Sequence, residues 1–192
     1  VGCTYKFLNG GPGAPAFIYV APRHADRAEP ALAGWMGHAA PFAFDLGYRA
    51  GEGIERMRVG TPPVLQMAAL DSALEIWDSV DLAALRARAL ELGDRFIAKV
   101  EAQTDLALAT PRAPEDRGSQ VSFRHPEGYA VMQALIAEGV IGDFRAPDIL
   151  RFGITPLYID EADIDHAADT LARILATGTW DRPEFKARKA VT

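Results

Sequence analysis

Apolar and polar positions divide the chain into a first stretch without a long period and a second with clear helical and strand periods. Up to residue 60 the apolar runs are short and glycine recurs, in Asn9-Gly-Gly-Pro-Gly13 and again at Gly34, Gly37, Gly47, Gly51, Gly53 and Gly60. The run Ala16–Val20, bounded by Pro15 and Pro22, predicts a buried strand, and the remainder predicts loops dense enough to surround a site. At Thr61 the pattern changes. Thr61 followed by Pro62 predicts a helix N-cap with proline in the first turn, and the nearly unbroken apolar run Val64–Trp77 predicts a helix buried on most sides. A longer helix follows over about 81–102, with Leu82, Leu85, Ala89, Leu92, Phe96 and Val100 on one face and Arg86, Arg88, Glu91, Arg95 and Lys99 on the others.

Beyond Thr104 the pattern predicts strands at Leu106–Ala109, Ser119–Arg124, Val140–Phe144 and Ile149–Gly153, with a helix at Tyr129–Glu138 and a last one at Ala162–Thr177. The last helix is bracketed by Asp160 as N-cap, acidic residues in its opening turns and Gly178 just past its end. The Pro-rich, charged segment Thr110–Gly118 reads as a surface loop, and the polar tail after Trp180 as a fraying end. The expected fold class is α/β: residues 1–78 form the C-terminal part of a larger α/β domain, and residues 79–192 a smaller α+β domain joined through the long helix.

Composition narrows the partners. Over 192 residues, 49% hydrophobic and 24% charged positions exclude a disordered chain and a collagen. Twenty Lys and Arg against 26 Asp and Glu, scattered along the chain, argue against binding nucleic acid through its phosphates. The single cysteine, Cys3, cannot form an internal disulfide, so a reducing cytoplasm is the expected compartment. No apolar run reaches the length of about 18 residues that a membrane helix needs, and no signal peptide is visible. The chain opens at Val1 without an initiator methionine, and a piece of a longer protein is expected.

Lys6 is the strongest chemical signal. A lysine amine, with a free pKa of about 10.4, becomes a nucleophile when burial or a nearby cation lowers that value, and it then forms a Schiff base with an aldehyde. A solvated lysine beside a turn is the plainer alternative. Asn9–Gly13 could converge backbone N–H groups on a phosphate, but it lacks the Gly-Lys-Ser/Thr ending of a P-loop, and taken alone it reads first as a tight structural turn. His24, His38, His125 and His166 show no metal-ligand spacing, so no metal is expected. His38 reads as structural. Asp160–Asp165 is explained by helix capping, and Ser119 has no partnered base.

Taken together, Gly2-Cys-Thr-Tyr-Lys-Phe-Leu-Asn-Gly-Gly-Pro-Gly-Ala-Pro15 resembles the lysine segment of the kynureninase family, pyridoxal-phosphate enzymes of the aspartate-aminotransferase fold (fold type I). Further likenesses follow in order at Gly34-Trp-Met-Gly-His38, Gly60-Thr-Pro62 and Ala146-Pro-Asp-Ile-Leu-Arg-Phe-Gly-Ile-Thr-Pro-Leu-Tyr158. The resemblance implies that Lys6 holds pyridoxal 5'-phosphate and later moves protons at the substrate α-carbon. It implies that Tyr5 contacts the cofactor phosphate and acts as an acid. Trp35 and Thr61 match phosphate contacts that reach across a homodimer from the neighbouring subunit. Arg151 matches the arginine that receives the substrate α-carboxylate, a role suited to its planar fork of donors.

The implied activity is hydrolytic Cβ–Cγ cleavage of L-kynurenine to anthranilate and L-alanine in tryptophan catabolism, with 3-hydroxykynurenine as a second substrate. In this fold the aspartate that pairs with the pyridine nitrogen, and the aromatic residue that stacks on the ring, lie upstream of the lysine. The expectation is therefore that the chain works only with the N-terminal half of the enzyme. Two rival readings are a cysteine desulfurase-like lyase or aminotransferase on the same scaffold, and a non-catalytic interaction module.

Overall fold

A computed structural model describes residues 1–188. The chain divides into two units, Val1–Val80 and the part from Asp81 onward. Among the described residues no helix is long and apolar enough to cross a membrane.

In the first unit regular structure is sparse. Strand β1 (Gly2–Cys3) pairs antiparallel with β2 (Ala16–Phe17), and a short helix α1 (Pro22–Ala25) precedes two 3₁₀ turns at Trp35–Gly37 and Gly53–Met57. Helix α2 (Val64–Leu74) runs into a further 3₁₀ turn, Glu75–Ser79. The expected buried strand Ala16–Val20 is instead a two-residue pairing, with Phe17, Ile18 and Tyr19 at least half exposed. Its apolar run matches the strand pattern, but the described residues supply no layer that buries it.

Helix α2 departs from expectation in two ways. Its N-cap position is Pro63, with no side-chain cap, so Thr61 does not cap it. Residues before a proline are pushed out of the α region, and here Thr61 and Pro62 both precede one, which delays the helix to Val64. The helix is apolar on every side, as a core helix is, yet none of its residues is buried within this chain. The whole unit buries only Thr4, Gly37 and Gly51.

The second unit carries the hydrophobic core. Helix α3 (Leu82–Gln103) starts at Asp81, whose carboxylate accepts the backbone N–H groups of Ala83 and Ala84. Four strands, β3 (Ala107–Leu108), β4 (Gln120–Arg124), β5 (Asp143–Arg145) and β6 (Ile149–Gly153), form an antiparallel sheet in the order β3-β4-β6-β5. Helices α4 (Gly128–Ala137) and α5 (Glu161–Thr177) complete the layer with α3. Asp160 and Asp163 close a capping box on α5, and Gly178 ends it in the left-handed region at φ 64°.

Phe96 stacks edge-on with Phe123 and Phe152, and Leu92, Val100, Met132, Leu135, Leu150, Leu171 and Ile174 fill the space around them. The strand expected from Val140 begins only at Asp143, because Ile141 points outward and Gly142 passes too close to Met132 for any side chain. The tail does not fray at Trp180. A short helix α6 (Pro183–Lys186) places Phe185 against the core, and the Tyr129 hydroxyl donates to the Ala187 carbonyl at 3.3 Å. Residues 189–192 lie outside the described part.

Candidate active site

The lysine segment leaves β1 in a tight loop that its own backbone closes. The Asn9 N–H donates to the Lys6 carbonyl and the Gly10 N–H to the Thr4 carbonyl, both at 2.9 Å. Asn9 sits at φ 62° and Gly11 and Gly13 at φ 72° and 88°, so the chain reverses through left-handed positions that glycine tolerates. The buried Thr4 hydroxyl donates to the Pro15 carbonyl. From the far end of the unit Trp77 anchors the loop: its indole N–H donates to the Leu8 carbonyl at 3.4 Å, and its ring lies 5.6 Å from that of Phe7. Lys6 and Tyr5 are thereby held on a braced loop. The Lys6 amine is exposed, lies 5.1 Å from the Tyr5 ring centroid and pairs with no carboxylate among the described residues.

Trp35 and Thr61 are brought together by glycines. A Cβ on Gly34 would stand 1.8 Å from the Val59 carbonyl oxygen, and one on Gly37 would stand 2.5 Å from that of Arg58. The Trp35 turn therefore lies directly on the backbone of 56–59. The indole Nε1 comes within 3.9 Å of a Cβ built on Gly60, the neighbour of Thr61. The Tyr48 hydroxyl donates to the Gly37 carbonyl at 3.0 Å and holds the turn from the other side. His38 fixes the loop beyond it, its Nδ1 accepting the Ala40 N–H and its Nε2 within 3.2 Å of the Gly47 carbonyl.

The start of α2 adjoins this pair. Pro62 and Pro63 have no N–H, and the N–H groups of Val64, Leu65 and Gln66 precede the first helical bond, from Met67 to Pro63, without a side-chain cap. The Tyr5 and Thr61 hydroxyls, the Trp35 indole N–H and the Lys6 amine have no hydrogen-bond partner among the described residues. No hydrogen bond, ion pair or ring contact links Tyr5 and Lys6 to Trp35 and Thr61 there.

Arg151 belongs to the second unit, in the middle of β6. Its neighbours Leu150 and Phe152 point into the core, so alternation turns Arg151 to the other face. There its guanidinium donates to the carboxylate of Asp143, directly opposite on β5, and Arg145 reaches the same oxygen at 3.0 Å. Nothing in the local sequence marks Asp143 as a partner of Arg151; only the strand register joins them.

The fold defines the class. A C-DES variant with glycine covalently linked to its PLP cofactor superposes with a TM-score of 0.68 at 23% identity, covering 83% of this chain and 43% of that one. An apo cysteine desulfurase from Thermococcus onnurineus NA1 gives the same score at 20% identity, covering 87% of this chain and 45% of that one. The architecture is that of the C-terminal part of the fold type I pyridoxal-phosphate enzymes.

Within that fold the chain is similar to the kynureninases. The kynureninase C-terminal domain family matches residues 85–171. The kynureninase of Burkholderia mallei (strain SAVP1) is 51% identical over 195 residues, which cover 100% of this chain and 47% of that protein. The kynureninase of Deinococcus radiodurans is 55% identical over 178 residues, covering 91% of this chain and 43% of that protein. The chain spans about half the length of the curated relatives it matches.

Proposed function

We propose that this chain supplies the cofactor lysine and the substrate-carboxylate arginine of a pyridoxal-phosphate enzyme that cleaves the Cβ–Cγ bond of L-kynurenine by hydrolysis, giving anthranilate and L-alanine. 3-Hydroxykynurenine is a second substrate. The observation that carries the reading is the 51% identity with a kynureninase along the entire chain, Lys6 segment included. The structural likeness to C-DES, at 23% identity, speaks for the fold alone.

The residues present fit a phosphate-bearing aldehyde. Lys6 offers an amine that no carboxylate ties down, and the uncapped start of α2 beside the free Thr61 hydroxyl and Trp35 indole offers N–H and O–H donors to an anion. Pyridoxal phosphate, when bound, supplies an electron sink for the substrate α-carbon. The Lys6 amine removes and returns the proton at that carbon. Tyr5, next to it in sequence, donates a proton through its phenol. Arg151 fixes the α-carboxylate and thereby sets which α-carbon bond is presented for reaction. Trp35 and Thr61 bind the phosphate of the neighbouring subunit's site in a homodimer, in keeping with the lack of any hydrogen bond, ion pair or ring contact between them and Lys6 among the described residues.

The partner that completes each site is the N-terminal half of the same enzyme, and the working compartment is the cytoplasm. The first unit supports the first of these, since none of its large apolar side chains is buried by the described residues. Borohydride reduction of the complete protein in pyridoxal phosphate, followed by peptide mapping, is expected to place the label on Lys6. Lys6→Ala is expected to abolish both the label and the visible absorbance band. Label on another lysine, or a band that survives the substitution, would refute the assignment.

A further inference from the structure

On the face of the sheet turned away from the core, Ser122 of β4, Arg151 of β6 and Asp143 of β5 stand in one row, each directly opposite the next. Among the described residues the guanidinium at the centre of the row is held from one side. Its Nη2 donates to Oδ2 of Asp143, and Nη2 of Arg145 lies 3.0 Å from that same oxygen. Asp143 and Arg151 are both mostly removed from solvent at the side chain, with 26% and 32% exposed, while Arg145 is mostly exposed at 58%. Among the described residues this carboxylate faces both arginines, and the three side chains together sum to one positive charge.

We infer that Asp143 positions the Arg151 guanidinium for a carboxylate ligand, and that Arg145 keeps the arrangement cationic by sharing the Asp143 charge. The inference rests on the reading of Arg151 as the carboxylate-binding residue and adds two residues to it. A free arginine side chain samples many rotamers, and an incoming ligand would otherwise have to remove that freedom. Tethering one corner of the fork to a strand neighbour fixes its plane beforehand and leaves its remaining donors directed to one side. A lone Asp143–Arg151 pair would be neutral and would repel an incoming carboxylate as much as attract it. Arg145 restores the attraction.

Removing Asp143 has two opposed effects, loss of orientation and gain of positive charge, and kinetics of the complete enzyme separate them. Asp143→Ala loses the tether and is expected to raise KM for L-kynurenine about tenfold while kcat changes by less than about twofold. The carboxamide of kynurenine, which lacks the charge that Arg151 reads, is expected to keep its KM. Asp143→Asn retains an acceptor oxygen and is expected to recover most of the affinity. Arg145→Gln, at an exposed side chain that tolerates change, is expected to raise KM for L-kynurenine about threefold.

An unchanged or lower KM for L-kynurenine in Asp143→Ala would overturn the positioning role. Equal losses with both substrates, or no recovery in Asp143→Asn, would do so as well, since a merely structural residue behaves that way. An unchanged KM in Arg145→Gln would overturn the charge sharing. Arg151→Ala is the control: if it leaves KM unchanged, the reading of Arg151 itself fails, an outcome separate from the others.

Discussion

Gly34→Ala adds one methyl group, and its consequence can be worked from the backbone. Gly34 has φ −145° and ψ 169°, an extended conformation open to any residue, so alanine there incurs no torsional strain. The cost is steric. The new Cβ would stand 1.8 Å from the Val59 carbonyl oxygen, 2.5 Å from its carbon and 2.6 Å from its Cα. A carbon and a carbonyl oxygen approach to about 3.3 Å, so the two backbone segments must part by roughly 1.5 Å. The obstacle is main chain, which cannot rotate aside as a side-chain tip would.

Overpacking of this kind costs about 1–3 kcal/mol, and a displacement of about 1 Å at a positioning element can cost about a hundredfold in rate. The displaced element here is the turn that carries the Trp35 indole to Gly60 and Thr61. Titration of the complete protein with pyridoxal phosphate, followed by its visible absorbance, is expected to show at least about a tenfold loss of affinity. Gly47→Ala, where a Cβ meets nothing within 4 Å and φ is not positive, is expected to titrate like the parent. Gly34→Ala binding the cofactor with parental affinity would refute the reasoning.

Two further predictions concern the second unit. Phe96→Ala removes a side chain that is 1% exposed and stacked on Phe123 and Phe152, and is expected to cost about 3–5 kcal/mol in chemical denaturation. A loss below about 1 kcal/mol would mean that the core collapses to fill the gap. The surface between α3 and α5 makes stability acid-sensitive. A hydrogen bond from Arg95 is the main cause holding the Asp165 carboxyl down to about 2, and Arg88 and Gln103 lower Glu161 and Asp169. Carboxyls whose folded pKa is depressed stabilise the fold above their unfolded pKa and lose that contribution as pH falls through the folded value. The melting temperature is therefore expected to fall from about pH 4.5 toward pH 2, less steeply in Asp165→Asn. An equal slope in that variant would show that the stabilisation lies elsewhere.

Legibility in the sequence followed how local the determining contacts are. Helix α5 could be read because Asp160, Asp163 and Gly178 settle both of its ends within a turn. Helix α3 could be read because its buried residues, Ala89, Leu92, Phe96 and Val100, recur at helical spacing. Thr61 misled because its hydroxyl suits a cap, whereas Pro63 two residues on decides where the helix can begin. Ala16–Val20 misled for a different reason: an apolar run reports that a segment wants burial, not that its own chain provides it. Lys6, Tyr5, Trp35, Thr61 and Arg151 came from a family likeness in short motifs. Asp143 and Arg145 did not, because Asp143 lies eight positions before Arg151 in the chain and only the β5–β6 register makes them neighbours. The glycines at 34 and 37 were visible as letters, but their cause, the backbone of 56–59 pressed against them, is a tertiary fact.

Helix α2 has no wet side, and the unit that carries it keeps no oily residue to itself. The two units should therefore fail in different currencies when mutated. Lesions beyond Asp81 ought to register as lowered heat tolerance, in proportion to the cavity they open. Lesions before it ought to register as orphaned, chaperone-bound or precipitated material, because under the proposed function what they break is the seam with the enzyme's other half.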